Sequence, residues 1–233
     1  MSKKSYTIVP LGDSALTINF GNVIDVSINK EVISLYHLIK AAPWFGVKDV
    51  VPAYSTLTIH YDVVAVLKSY SGVSAFDAMK NKLEGLLLQK GVAAKPARSI
   101  KIPVCYTEKY ALDLQEITML TNLSFAEIVQ IHISRKYRVY MVGFLPGFAY
   151  MGEVDERIAV PRKQEPQVKI EEGFVGIAGK QTGIYPLTSP GGWQIIGRTP
   201  LKLFDKEKED PVLFKAGDEA EFFSITEDEF ENY

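Results

Sequence analysis

Between Gly143 and Arg198 the chain carries ten of its 17 glycines, interleaved with Phe144, Phe148, Tyr150, Tyr185 and Trp193. Glycine serves where a backbone needs φ > 0 or where another backbone or a ligand comes close, and proline fixes φ at turns. Disordered Gly/Pro-rich linkers are poor in aromatic and β-branched residues, so this stretch reads as ordered. It predicts an all-β region whose loops present backbone N–H groups and aromatic faces. Function concentrates on structured loops, so a site is expected here and the rest of the chain reads as support.

At 233 residues with 47% hydrophobic content, the chain suits one large or two modest domains with real cores. The formal net charge of −2 offers no basic footprint for nucleic acid. Lys3 and Lys4 precede no apolar signal region, and no run approaches the roughly 20 apolar residues that span a bilayer, so a cytoplasmic protein without membrane contact is expected. Cys105 is the single cysteine, which excludes an internal disulfide. His37, His60 and His132 lack metal-ligand spacing, and no metal site is expected.

The first 95 residues read as strand, helix, strand, strand, helix. Leu16, Ile18 and Phe20 alternate on one strand face, with Thr7 to Val9 as a separate short strand before them. Asp25 caps a helix carrying Ile28, Val32, Leu35 and Ile39, and Pro43 stops it. Strands follow at Val47 to Tyr54 and Thr56 to Tyr61; then Ser74 caps a helix with a Phe76, Met79, Leu83, Leu87 stripe and Gly91 as its stop. A strand around Ile100 to Val104 either completes this unit or leaves it. Two amphipathic helices over a mostly antiparallel sheet predict an α+β fold of ferredoxin-like type. The boundary falls near Pro96, giving domains 1–95 and 96–233.

The second domain opens with a short helical insertion at about 113–135. One helix is expected over Asp113 to Leu120, and Ser124 with Glu127 forms a capping box for another. Phe125, Val129 and His132 share one face of it, so His132 is either a satisfied core histidine or a site residue. Tyr137 to Met141 reads as a strand leading into the Gly-rich stretch. Leu201 to Phe204, Val212 to Phe214 and Glu221 to Ile225 read as closing strands of a barrel or sandwich. Glu227, Asp228, Glu229 and Glu231 read as a solvated end.

Gly179-Lys180-Gln181-Thr182 invites a phosphate-loop reading, but Phe174 and Gln181 occupy the positions where that loop needs Gly and Ser or Thr, so it fails at both ends. Gly173, Gly176, Gly179 and Gly183 could still form a backbone nest for an anion, with Lys180 and Gln181 either assisting or merely solvated on a hairpin. Arg162 and Arg198 suit bidentate recognition of a carboxylate or phosphate, whereas Arg157, beside Glu153, Asp155 and Glu156, reads better as a surface ion pair. Thr188 to Trp193 is a tight turn delivering an indole, as packing anchor or ligand platform. No nucleophile and base arrangement is legible.

GFLPGFAYMG (Gly143 to Gly152), VPR (Val160 to Arg162), VGIAGKQTGIYPLTSPGGWQIIGRTP (Val175 to Pro200) and LFD (Leu203 to Asp205) closely resemble the family of 5-oxoprolinase B subunits, also known as the allophanate hydrolase subunit 1 or Kip-type kinase-inhibitor family. The resemblance implies a ferredoxin-like first domain and a cyclophilin-like β-barrel second domain. It implies a component that works with A and C subunits of 5-oxoprolinase to open 5-oxoproline to glutamate using ATP, with Mg, held by the complex rather than by this chain alone. Related paired domains form the carboxyltransferase part of urea carboxylases, and a minority member inhibits a sensor histidine kinase, so both stand as alternatives. Carried over by position, the site residues are Gly143, Pro146, Gly147, Phe148, Gly179, Tyr185, Pro190, Gly191, Gly192 and Trp193, with Arg162, Arg198, Gln181 and His132 as candidates nearest the chemistry. Lys180 stands where the family often has a second Gly, and narrows the site or changes its charge.

Overall fold

The structure is a computed structural model that describes residues 5–70, 72–88 and 96–233. It divides into two compact units, Met1–Pro96 and Ala97–Tyr233.

In the first unit β1 (Thr7–Pro10), β2 (Ala15–Asn19), β3 (Val47–Pro52) and β4 (Thr56–Tyr61) form an antiparallel sheet in the order β1-β2-β4-β3. Leu16 pairs with Ile59 and Ile18 with Leu57 across neighbouring strands. Alternation therefore places these four fully buried side chains on one face. Helices α1 (Val26–Ala41) and α3 (Ala75–Leu88) pack on the sheet, adding Val32, Leu35, Ile39, Met79 and Leu83 to its core. Asp25 Oδ1 accepts from the Ile28 N–H at 2.8 Å and caps α1. The stop expected for α3 at Gly91 lies outside the described residues.

Two features depart from expectation. A short helix α2 (Val63–Ser69) follows β4, although Val63, Val64 and Val66 favour strands; Asp62 starts it by accepting from the Ala65 N–H at 3.0 Å. In a ferredoxin-like order the strand after the second helix closes the sheet. Here the edge beside β2 is held by β1, with Ile8 opposite Ile18, and the strand after α3 belongs to the second unit.

That strand is β5 (Ser99–Cys105), and it is followed by α4 (Leu114–Thr121), α5 (Phe125–Ile133), β6 (Lys136–Val142), β7 (Ala149–Gly152), β8 (Gln167–Ile170), β9 (Phe174–Ala178), β10 (Gln181–Ile184), β11 (Ser189–Gly191), β12 (Gln194–Arg198) and β13 (Glu219–Ile225). Seven of these close a barrel in the order β10-β7-β6-β13-β5-β12-β9, while β8 and β11 make a separate two-stranded ladder. Ser124 and Glu127 form the capping box that opens α5.

Strand alternation explains why β9 is buried along its whole length. Val175 and Ile177 enter the barrel core with Met151, Ile184 and Ile196. Phe174 and Ala178 join a second apolar cluster with Phe148, Tyr185, Trp193 and Ile195. The barrel is thus packed on both surfaces of its Gly-rich wall, and that outer cluster positions the site.

The segments Leu201 to Phe204 and Val212 to Phe214 are not ladder strands; a single bridge joins Phe204 to Val212. Pro200 and Pro211 remove backbone donors there, and Leu203 and Phe214 enter the core as plugs. The acidic end forms a short helix, α6 (Glu227–Glu231), opened by a capping box of Thr226 and Glu229. Phe230 lies against the Tyr110 ring at 4.6 Å, so this end is docked rather than free. Among the described residues no helix is long and apolar enough to cross a membrane.

Candidate functional site

The site begins with an indole that two glycines make room for. Gly176 and Gly183 face each other across β9 and β10. A Cβ on Gly183 would stand 3.0 Å from Trp193 Cζ3 and 3.1 Å from Phe148 Cζ, and one on Gly176 would stand 3.0 Å from Trp193 Cβ. Trp193 is 4% exposed, with Phe148 edge-on at 5.4 Å and Tyr150 at 6.0 Å. Burial pushes the pKa of the Tyr185 phenol up to about 12. Gly191 is glycine because a Cβ there would run into the Tyr185 hydroxyl.

Over this indole lies Arg162, its guanidinium carbon 5.8 Å from the ring centroid. Arg162 is exposed, and no hydrogen bond or ion pair holds it among the described residues. The next residue fixes its backbone: the Lys163 N–H donates to the Gly192 carbonyl at 2.8 Å, beside Trp193.

The Lys163 side chain is anchored in turn. Its Nζ donates to Asp113 Oδ1 at 2.5 Å and Glu116 Oε2 at 2.8 Å. Asp113, only 6% exposed, also accepts from Gln167 Nε2 at 3.0 Å and, through Oδ2, from the Ile195 N–H at 2.7 Å. One carboxylate therefore ties the start of α4 to β8, β12 and the loop bearing Arg162. Gln194 donates Nε2–H to Glu116 Oε1 at 2.7 Å, while its own buried Oε1 has no partner among the described residues. Lys163 and Gln194 together hold the Glu116 carboxyl below its ordinary pKa. Asp113, Glu116, Lys163, Leu112 and Met119 line a cleft of about 730 Å³.

Of the residues expected in the site, Phe148, Tyr185, Gly191, Gly192, Trp193 and Arg162 come together on this face. Gly143, Pro146 and Gly147 form the turn that enters it: the Gly143 N–H reaches the Phe148 carbonyl at 3.0 Å, and Gly147 has φ +84°. Phe144 in that turn is 63% exposed with φ +72°, unusual for a residue with a side chain. Pro190 is exposed on β11.

Others lie elsewhere. Gly179 and Lys180 form the hairpin turn between β9 and β10, with Gly179 at φ +58° and Gln181 starting the next strand. The Gly173 N–H donates to Tyr185 O at 2.7 Å and the Gly179 N–H to Val160 O at 2.6 Å, so these amides do not converge on an anion. Lys180 pairs with Glu156 at 2.6 Å, and Arg157 pairs with Asp155 at 2.9 Å. Arg198 sits at the far end of β12, over Phe174 at 4.9 Å, donating to the Glu172 carbonyl at 3.0 Å and lining a separate cleft of about 400 Å³ with Phe230 and Tyr233.

His132 is wholly inside the barrel. Tyr106 Oη lies 2.8 Å from its Nδ1 and Thr182 Oγ1 lies 3.0 Å from its Nε2. Thr182 donates its own proton to the Gly176 carbonyl, so Nε2 carries the hydrogen and Nδ1 accepts from Tyr106. Burial depresses its pKa to about 3, and the ring is neutral.

The hub of Asp113, Glu116, Gln167 and Gln194 was not legible in advance. Asp113 carries only a helix-start signal, and its partners lie 50 to 82 residues away. A carboxylate at a buried helix start without its own cap bond is the clue a structure supplies.

A closed barrel joined to a helix-bearing antiparallel sheet, with a Gly-Gly-Trp turn on the barrel's outer face, is the frame of a carboxyltransferase-type module. The carboxyltransferase domain family, subdomains C and D, matches residues 6–214. The chain belongs to the family of 5-oxoprolinase B subunits: it is 41% identical to the 5-oxoprolinase B subunit of Bacillus subtilis, covering 98% of this chain and 96% of that one. The B subunit of Escherichia coli O157:H7 is 32% identical, covering 91% of this chain and 93% of that one. Among solved structures, TTHA0988 superposes with a TM-score of 0.78 at 32% identity over 91% of this chain, which spans 40% of that longer chain.

Proposed function

We propose that this chain is the B subunit of an ATP-dependent 5-oxoprolinase, opening 5-oxo-L-proline to L-glutamate with the A and C subunits in the cytoplasm. The observation that carries this reading is the near full-length likeness to B subunits so named; in this chain Gly191, Gly192 and Trp193 belong to an ordered aromatic face. In fold terms the reading takes the first unit as a permuted ferredoxin-like sheet and the second as a cyclophilin-like barrel.

Lactam opening breaks the ring C–N bond and puts negative charge on the carbonyl oxygen, which needs donors aimed at it and a group to move a proton. The face around Arg162 and Trp193 offers a cation and aromatic walls but no nucleophile and base pair, and His132 is sealed inside the barrel. That incompleteness fits a site finished by a direct partner, the C subunit. Residues here do not make a phosphate cradle either: Lys180 is committed to Glu156, and the Gly173 and Gly179 amides to carbonyls. On this reading ATP is held by the rest of the complex.

The test is ATP-dependent glutamate formation from 5-oxoproline by the A and C subunits with and without this chain. Turnover that requires the chain supports the reading; equal turnover in its absence overturns it.

A further inference from the structure

The chain has six arginines, and five of them donate hydrogen bonds to protein acceptors. Arg98 is on Asp218, Arg135 and Arg157 on Asp155, Arg138 on the Gly217 carbonyl and Arg198 on the Glu172 carbonyl. Arg162 alone, among the described residues, keeps all five N–H donors uncommitted.

It is nevertheless not a loose surface side chain. Pro161 precedes it, Lys163 pins the backbone to Gly192, and the Lys163 ammonium is clamped by Asp113 and Glu116. Two carboxylates outweigh that ammonium, so the positive charge presented on this face belongs to Arg162. A guanidinium resting on an indole satisfies its flat surface and leaves its edge free, the geometry that takes a carboxylate by two parallel bonds. The platform is rigid because Trp193 is wedged between Phe148 and the gap left by Gly176 and Gly183. Tyr150 is half-buried beside it, near enough for the Arg162 charge to act on its phenol.

We propose that Arg162, held on Trp193, is the specificity-determining residue that binds the carboxylate of the lactam substrate. This rests on the reading of the chain as a 5-oxoprolinase subunit. The carboxylate would be gripped by the guanidinium edge, leaving the lactam ring over the aromatic floor of Trp193 and Tyr150. Discrimination follows: a lactam lacking the acid leaves Arg162 exposed and loses that anchor, whereas Lys at this position offers only a single point charge.

The test compares 5-oxoproline with its neutral carboxamide in the reconstituted complex, for wild type, Arg162→Lys and Arg162→Met. Arg162→Met is expected to lower kcat/KM for 5-oxoproline roughly ten- to a hundredfold, mostly through KM, and to lower that for the carboxamide by a much smaller factor. Arg162→Lys should fall between. An equal loss on both compounds, or no loss on either, overturns the proposal. A second measurement reads binding without turnover: the Arg162 Nε–H resonance of the isolated full chain, titrated with 5-oxoproline and with the carboxamide. A shift with the acid only supports the assignment, and no shift at saturating acid overturns it. Should turnover prove independent of this chain, the subunit reading fails and the titration alone decides.

Discussion

The indole of Trp193 lies so close over Gly183 that a methyl group there would stand 3.0 Å from Cζ3 and 3.0 Å from the Ala149 carbonyl oxygen. The oxygen is backbone and cannot step aside, and the indole is held by Phe148. Glycines in this wall therefore serve a buried aromatic rather than an anion. Gly183→Ala should destabilise the barrel by about 1–3 kcal/mol, the cost of overpacking, read as a lower urea midpoint at unchanged slope. Gly179→Ala meets nothing within 4 Å and bears only the strain of φ +58°. It should cost about 1 kcal/mol.

Asp113 is expected to be the most sensitive polar residue of the barrel unit. Removing it takes the acceptor from the Gln167 amide and the Ile195 N–H together and leaves the largely buried Lys163 ammonium with Glu116 as its one carboxylate partner among the described residues. Asp113→Ala should cost about 3–5 kcal/mol in chemical unfolding. Glu116→Gln, at a carboxylate 44% exposed, should cost no more than about 1 kcal/mol.

His132 makes stability pH-dependent in a defined window. Its folded pKa is depressed to about 3, and an unfolded histidine titrates near 6.5. The unfolded chain therefore binds the proton first as pH falls, so this contribution is intact above about 6.5 and lost progressively down towards 3. Between pH 6.5 and 5 the unfolding free energy should drop by about 2 kcal/mol, one proton's worth over that interval. His132→Gln should flatten that slope while lowering the plateau, as followed by urea titrations at each pH.

The C-terminal helix is part of the fold. Phe230 covers Tyr110 and packs on the outer apolar cluster. Truncation after Ile225 should lower Tm, as should Phe230→Ala, with about 1–2 kcal/mol lost for the half-buried ring. Lys109→Ala removes an exposed pair with Glu231 and should leave Tm unchanged in differential scanning calorimetry.

Much of the architecture was legible because periodicity is local. The Asp25 cap, the Ser124 and Glu127 box and the alternation of Leu57, Ile59 and Tyr61 each act over a few residues, and each element formed where its pattern lay. The aromatic face was legible too, since Gly-Gly-Trp announces a close approach. What stayed hidden was long-range. Nothing in Asp62 followed by a valine-rich run says that capping beats β propensity, and Leu203 and Phe214 look like strand residues until the barrel end they plug is known. The nest suggested by four glycines gave way because β-ladder and turn partners claim amides before a ligand can. Asp113 shows the same limit in the site: its importance comes from segments that meet only after folding.

Deleting the gene for this chain in its host and measuring intracellular 5-oxoproline tests the assignment to 5-oxoprolinase most directly. The expected result is that 5-oxoproline accumulates and glutamate ceases to form from it, and that restoring the intact chain reverses both. Unchanged 5-oxoproline in the deletion strain, with the A and C subunits present and ATP-dependent turnover intact in its extracts, would contradict the assignment.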